Sequence, residues 1–179
     1  MPPESSDAKA SSVSGTSGAV EWATLLLLRE IWNRQRKTVV WTNGCFDILH
    51  VGHLHCLEEA KRLGDVLVVG VNTDTAVTEL KGAGRPIFPL EERMRLLAGL
   101  RAPDYVVAFE GITPEAALAD LKPDVHVKGE DYAPPSRKRI PEKTVVESYG
   151  GRIEFVSFLP GHSTSKIVQR IRGDQGTLR

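Results

Sequence analysis

The sequence predicts a single α/β domain built on a doubly wound parallel sheet. Strand-like and helix-like runs alternate from residue 38 to residue 172. The strand-like runs are continuously apolar and β-branched rather than alternating, as expected of strands covered on both faces. No repeat at a fixed period is present, which argues against a solenoid or propeller. The 179 residues suit one compact domain.

The elements follow in order. Residues 1–17 are mainly Ser, Gly, Pro and Ala, and such a segment buries too little surface to offset its ordering entropy, so a disordered tail is expected. The domain is expected over 18–172, with a flexible C-terminus at 173–179. Between Val20 and Lys37, Trp22, Leu25, Leu26, Ile31 and Trp32 recur at helical spacing against a polar face of Arg29, Glu30, Arg34, Arg36 and Lys37. This helix is expected to pack on the domain. Strands are predicted at 38–42, 65–71, 104–109, 123–128 and 152–157. Helices are predicted at 52–63, 90–100, 114–121, 142–149 and 163–172. Folds of this class place ligands at the carboxyl ends of the strands, beside the point where strand order reverses.

Composition narrows the function. Lys plus Arg equal Asp plus Glu at 23 each, without the basic excess of a nucleic-acid-coating or membrane-surface protein. Two cysteines, Cys45 and Cys56, are too few for a disulfide framework, and a reducing cytoplasm is the simpler expectation. The apolar run Ala23–Leu28 is far shorter than a membrane span and lacks a basic lead-in, so neither an anchor nor a secretory signal is expected.

The chemistry concentrates at the first strand's exit. Thr42-Asn43-Gly44-Cys45-Phe46-Asp47 leads into His50-Val51-Gly52-His53. Gly44 permits a sharp turn and close approach to a ligand. The helix starting near Gly52 aims free N–H groups back at that turn, which favours a phosphate. Two imidazoles at a helix entrance can donate to phosphate oxygens and stabilise charge that grows during substitution at phosphorus. Structural capping is the plainer reading of the same pair. Cys45, His50, His53, His55 and Cys56 also lie close in sequence, but their spacing matches zinc sites poorly, and no metal ligand set is assigned.

This string resembles the signature of the HxGH nucleotidylyltransferase superfamily, and within it the heptose-1-phosphate adenylyltransferases of the cytidylyltransferase-like group. The resemblance runs from about Val20 to Arg172. It implies a Rossmann-like fold that transfers AMP from ATP to D-glycero-β-D-manno-heptose 1-phosphate, giving ADP-heptose and pyrophosphate. In that group the domain is often one half of a bifunctional kinase–adenylyltransferase, and at this length a stand-alone form is expected. A cytoplasmic homodimer using Mg²⁺ with ATP, and binding neither nucleic acid nor membrane, is implied as well.

The remaining motifs divide between local and ligand roles. Asn72, Thr73 and Asp74 end the second strand, where helix capping explains them as well as a site does; the resemblance places Asn72 and Asp74 at the nucleotide. Leu80–Pro86 reads as a flexible basic loop in which Lys81 and Arg85 can reach a triphosphate, and the resemblance assigns Lys81 to the phosphates. Arg93 matches a family arginine near the phosphates, although a surface ion pair explains it almost as well. Lys128-Gly129-Glu130-Asp131 ends the fourth strand. Lys128 suits an anionic acceptor, Asp131 a base or sugar hydroxyl, and Glu130 stands where the family has a second glycine. Gly161-His162-Ser163-Thr164-Ser165 opens the last helix and resembles the superfamily's second signature. Its hydroxyls cap the helix and can also hold nucleotide phosphates. Two signatures in the right order are more specific than either alone.

The implied mechanism is direct in-line attack with no covalent intermediate. His50, His53 and Lys81 would be catalytic. Asn43, Gly44, Cys45, Phe46, Gly52, Asn72, Asp74, Arg93, Ser163, Thr164 and Ser165 would bind the nucleotide. Asp47, Lys128 and Asp131 would bind the acceptor. The competing expectations are a cytidylyltransferase acting on glycerol 3-phosphate or another phospho-alcohol, and a non-catalytic nucleotide-binding regulator.

Overall fold

A computed structural model describes residues 18–136, 138–171 and 173. The expected N-terminal tail and the expected flexible C-terminus, Gly173 apart, lie outside the described residues. The chain runs α1 (Trp22–Arg34), β1 (Val39–Gly44), α2 (Val51–Lys61), β2 (Val66–Asn72), α3 (Asp74–Lys81), α4 (Leu90–Ala98), β3 (Tyr105–Phe109), α5 (Glu115–Leu121), β4 (Val125–Gly129), α6 (Lys143–Ser148), β5 (Arg152–Val156) and α7 (Thr164–Ile171). A 3₁₀ turn, Glu130–Tyr132, follows β4.

The five strands form one sheet in the order β3-β2-β1-β4-β5, and every neighbouring pair is parallel. Strand order therefore reverses between β1 and β4, which pair through Val40↔Val125, Trp41↔His126 and Thr42↔Val127. The crevice at their carboxyl ends is where this topology places a ligand.

Two apolar layers flank the sheet. Val40, Leu67, Val69 and Val127 pack with Leu57, Met94 and Leu97 of α2 and α4. Val39, Trp41, Val66, Val68 and Val107 pack with Leu25, Trp32, Leu118 and Val146 of α1, α5 and α6. Successive strand residues thus point to opposite layers, and both are covered, which is why β2 is buried from end to end. Gly70 opposes Asn43 in this sheet. A Cβ there would stand 2.2 Å from Cζ2 of the Trp41 indole, so packing of the indole demands the glycine.

Aspartates fasten the amino ends of the strands. Asp124 accepts from the Val39 amide at 2.7 Å, Asp104 from the Leu67 amide at 2.6 Å, and Asp65 from the Thr38 amide at 2.8 Å. From α1, Arg29 donates to the carbonyls of Leu121 and Lys122, which satisfies the last turn of α5 and seats α1 on the domain. With that edge committed to structure, the carboxyl edge is left for chemistry.

The predicted elements form within a few residues of the expected bounds. The exception is α3, which falls where a cap and a loop were expected. Lys81 is its last residue rather than part of a loop, and Gly82, at φ 91°, ends the helix.

Candidate active site

The exits of β1, β2 and β4 and the entrances of α2 and α7 surround a cavity of about 570 Å³. It opens at the reversal between β1 and β4. Asn43, Gly44, Cys45, Phe46 and Asp47 line it from β1. His53 enters from α2, Asn72 from β2, and Lys81 from α3. Lys128 and Asp131 come from the β4 exit, and Thr164 and Ser165 from α7. Residues separated by more than 120 positions therefore share one wall.

The entrance of α2 is built around two imidazoles. His50 is the N-cap residue, and its Nδ1 accepts from the Gly52 amide at 3.1 Å. A neutral His50 must then carry its proton on Nε2. Its ring stacks on that of His53, with centroids 3.9 Å apart. A Cβ on Gly52 would stand 2.9 Å from two atoms of the His50 ring and 3.3 Å from Cβ of His162. Gly52 thus makes room for an imidazole and for the chain that leads into α7, and the two helix entrances meet there. Burial, and then the neighbouring His162, lower the His50 pKa; burial, and then His50, bring that of His53 down to about 4. Nδ1 of His53 is buried without a partner among the described residues.

At α7 the Ser163 hydroxyl accepts from the Lys166 amide at 3.3 Å, the expected cap. That leaves Thr164 and Ser165 at the cavity. Cys45 lies in the β1 turn, where burial pushes its thiol up while Lys81 and Arg93 pull the other way. Burial favours the thiol over the nucleophilic thiolate.

Several predicted site residues prove to hold the site rather than line it. Arg93 is fully buried, which corrects the surface placement expected of its ion pair, and it is not among the residues lining the cavity. Its guanidinium donates to the carbonyls of Phe88 (3.0 Å), Cys45 (2.6 Å) and Asn72 (2.9 Å), and to the Asp74 carboxylate (2.6 Å). One side chain thereby ties the exits of β1 and β2 to the segment before α4. Asp74 is turned to Arg93 and is not in the cavity wall. Asp47 lines the cavity, but one oxygen accepts from the amides of Ile87 (2.6 Å) and Phe88 (3.1 Å), and the other pairs with Arg85. Asp47 thereby anchors the 85–88 segment. His50, Gly52 and Ser163 are not among the residues lining the cavity.

Residues the motifs did not single out also reach the cavity. Glu142, 1% exposed, accepts from His126 Nε2 at 3.0 Å and Lys128 Nζ at 2.9 Å through the same oxygen. Burial raises its pKa, yet the two hydrogen bonds outweigh that and hold it at about 2. Arg139 and Tyr132 line the cavity as well. No sequence signal marks Glu142, a lone carboxylate beyond a proline-rich stretch. Glu130, in place of the family glycine, accepts from the Phe158 amide at 3.0 Å and braces β4's exit against the chain entering α7. Among the described residues, no group of three or more His, Cys, Asp or Glu side chains is placed to hold a metal ion.

The cytidylyltransferase-like family model matches residues 41–170. The bifunctional protein HldE of Syntrophotalea carbinolica is 46% identical over 167 residues, covering 88% of this chain and 34% of that protein. The bifunctional protein HldE of Hahella chejuensis is 51% identical over 137 residues, covering 76% and 28%. The chain thus spans about a third of the length of the curated relatives it matches. Among solved structures, the lipopolysaccharide core biosynthesis protein from Thermoplasma volcanium GSS1 superposes with a TM-score of 0.54 at 29% identity, over 69% of this chain and 97% of that one. No helix among the described residues is long and apolar enough to cross a membrane.

Proposed function

Because the chain belongs to the cytidylyltransferase-like family, we propose that it transfers AMP from ATP to D-glycero-β-D-manno-heptose 1-phosphate, giving ADP-heptose and pyrophosphate. The observation that carries this reading is the shared cavity wall of His53, Lys81, Thr164 and Ser165, drawn from three separate helices.

The acceptor's phosphate oxygen attacks the α-phosphorus of ATP; a P–O bond forms as the bond to the β-phosphate oxygen breaks, and pyrophosphate leaves. A phosphate monoester is already anionic, so no general base is required. Catalysis is positioning plus charge stabilisation. His53, backed by His50, donates to the α-phosphate as its charge grows. Lys81, Thr164 and the amides at the α7 entrance hold the departing pyrophosphate. Asn43, Gly44, Cys45, Phe46, Asn72 and Ser165 form the nucleotide's side of the cavity, and Lys128 and Asp131 the acceptor's.

Mg²⁺ would accompany ATP and offset phosphate charge, held mainly by the nucleotide and water rather than by protein carboxylates. The donor set fits this arrangement, since Asp47, the carboxylate at the β1 exit, has both oxygens engaged by Arg85, Ile87 and Phe88. Assembly as a homodimer and action in the cytoplasm belong to the same reading.

A matrix of ATP and CTP against heptose 1-phosphate and glycerol 3-phosphate, read by pyrophosphate release, tests it. Turnover is expected for ATP with heptose 1-phosphate. Turnover confined to CTP with glycerol 3-phosphate would replace the substrates, and silence in every well would remove the enzyme reading.

A further inference from the structure

The acceptor end of the cavity differs electrostatically from the rest. At the exit of β4 Lys128 and Lys138 each have a carboxylate partner. Lys128 Nζ lies 2.9 Å from Glu142 Oε1, and Lys138 pairs with Asp131. Lys81 and Arg139 line the same cavity with no carboxylate at ion-pair distance among the described residues. Uncompensated positive charge, the kind that attracts phosphate, therefore stays with Lys81 and Arg139.

Lys128 is also fixed in place. Its ammonium sits 4.5 Å over the Tyr132 ring, and its side chain is 16% exposed. One of its three donors is committed to Glu142. Glu142 is held from behind by the fully buried His126, and its second oxygen is buried with no partner among the described residues. The protein does not saturate this carboxylate, so its charge is directed at Lys128. A buried charge left in that condition is costly unless its partner is used.

We propose that the Lys128–Glu142 pair is a charge-neutral subsite that reads hydroxyl groups of a polyhydroxylated acceptor, with Glu142 the positioning residue that makes Lys128 a directed donor rather than a phosphate-binding cation. A hydroxyl both donates and accepts, and so can engage a Lys–carboxylate pair with an additional carboxylate, Asp131, close by. A phosphate dianion only accepts, and a subsite whose cations are already neutralised by carboxylates offers it no net attraction. The inference rests on the reading of the acceptor as a sugar phosphate, and it divides that acceptor: hydroxyls at Lys128, phosphate toward Lys81 and Arg139. It replaces the expectation that Lys128 meets the acceptor's anionic group.

Calorimetric titration without ATP tests the subsite apart from the transfer reaction. Heptose 1-phosphate and inorganic phosphate are titrated separately into the wild type, Glu142→Gln and Lys128→Met, with folding checked by circular dichroism. Glu142→Gln should raise the Kd for heptose 1-phosphate by about tenfold or more, the cost of a misdirected buried hydrogen bond. It should leave inorganic phosphate bound as tightly as before, or more tightly, because Lys128 is then uncompensated. In turnover, KM for the acceptor should rise while KM for ATP holds. Should Glu142→Gln fail to fold, Lys128→Met carries the test: it should weaken heptose 1-phosphate and spare inorganic phosphate. Equal weakening of both ligands, no change in either, or no binding of heptose 1-phosphate by the wild type overturns the subsite. Failure of the transfer reading appears elsewhere, as a silent pyrophosphate assay on wild-type protein.

Discussion

The imidazole rings of His50 and His53 are stacked, with centroids 3.9 Å apart and planes inclined by 24°. Two imidazolium ions at that separation would repel, so the resting pair is neutral near pH 7. His50 keeps its proton on Nε2, because Nδ1 accepts from the Gly52 amide. In the proposed transfer the pair would act as hydrogen-bond donors with capacity to accept charge, which suits a phosphate whose negative charge increases at the transition state.

Replacing His53 by alanine should lower kcat by roughly a hundredfold or more, by analogy with loss of one oxyanion donor. ATP affinity should change little, since Lys81 and the α7 entrance remain. Steady-state kinetics with ATP-binding calorimetry separates the two quantities, and an unchanged kcat would take His53 out of the mechanism.

The same residue should shape acid stability. Burial, then the neighbouring His50, hold His53 at about 4, below the ordinary 6.5. As pH falls the unfolded chain takes up this proton before the folded one. The stabilisation is therefore complete above about pH 6.5 and is lost as pH falls toward 4. Melting temperature should decline across that window in the wild type and decline less in His53→Gln. Parallel curves for the two proteins would contradict the assignment.

Arg93→Met should be among the most destabilising substitutions in the domain. It removes donors from three carbonyls and leaves Asp74 without its partner. Asp74 is about half exposed, so the larger loss is the carbonyls left without a donor, at about 1–3 kcal/mol each, and urea titration measures the total. A loss below about 1 kcal/mol, the scale of an exposed pair, would return Arg93 to a surface role.

Much of this arrangement was legible before any coordinates. Continuous β-branched runs gave a parallel sheet, and β2, buried along its whole length, shows why. The histidine pair and the hydroxyl cluster each sit at a helix entrance, and helix entrances are written in local capping chemistry. The short helix α3 was missed although the capping reading of Asn72, Thr73 and Asp74 implies a helix there, because the glycines after Lys81 suggested a loop reaching back further than it does.

What the sequence determined alone was the class of fold, the strand exits that matter and the two helix entrances that meet beside the cavity. Each depends on spacing, propensity and capping among near neighbours in the chain. Only the tertiary structure decided which charges face the ligand. Arg93 looks like a surface cation and Glu142 like an ordinary acidic residue until partners 5 to 48 and 14 to 16 positions away surround them. Burial of a charged side chain is fixed by the groups that compensate it, and those groups assemble only when distant segments meet.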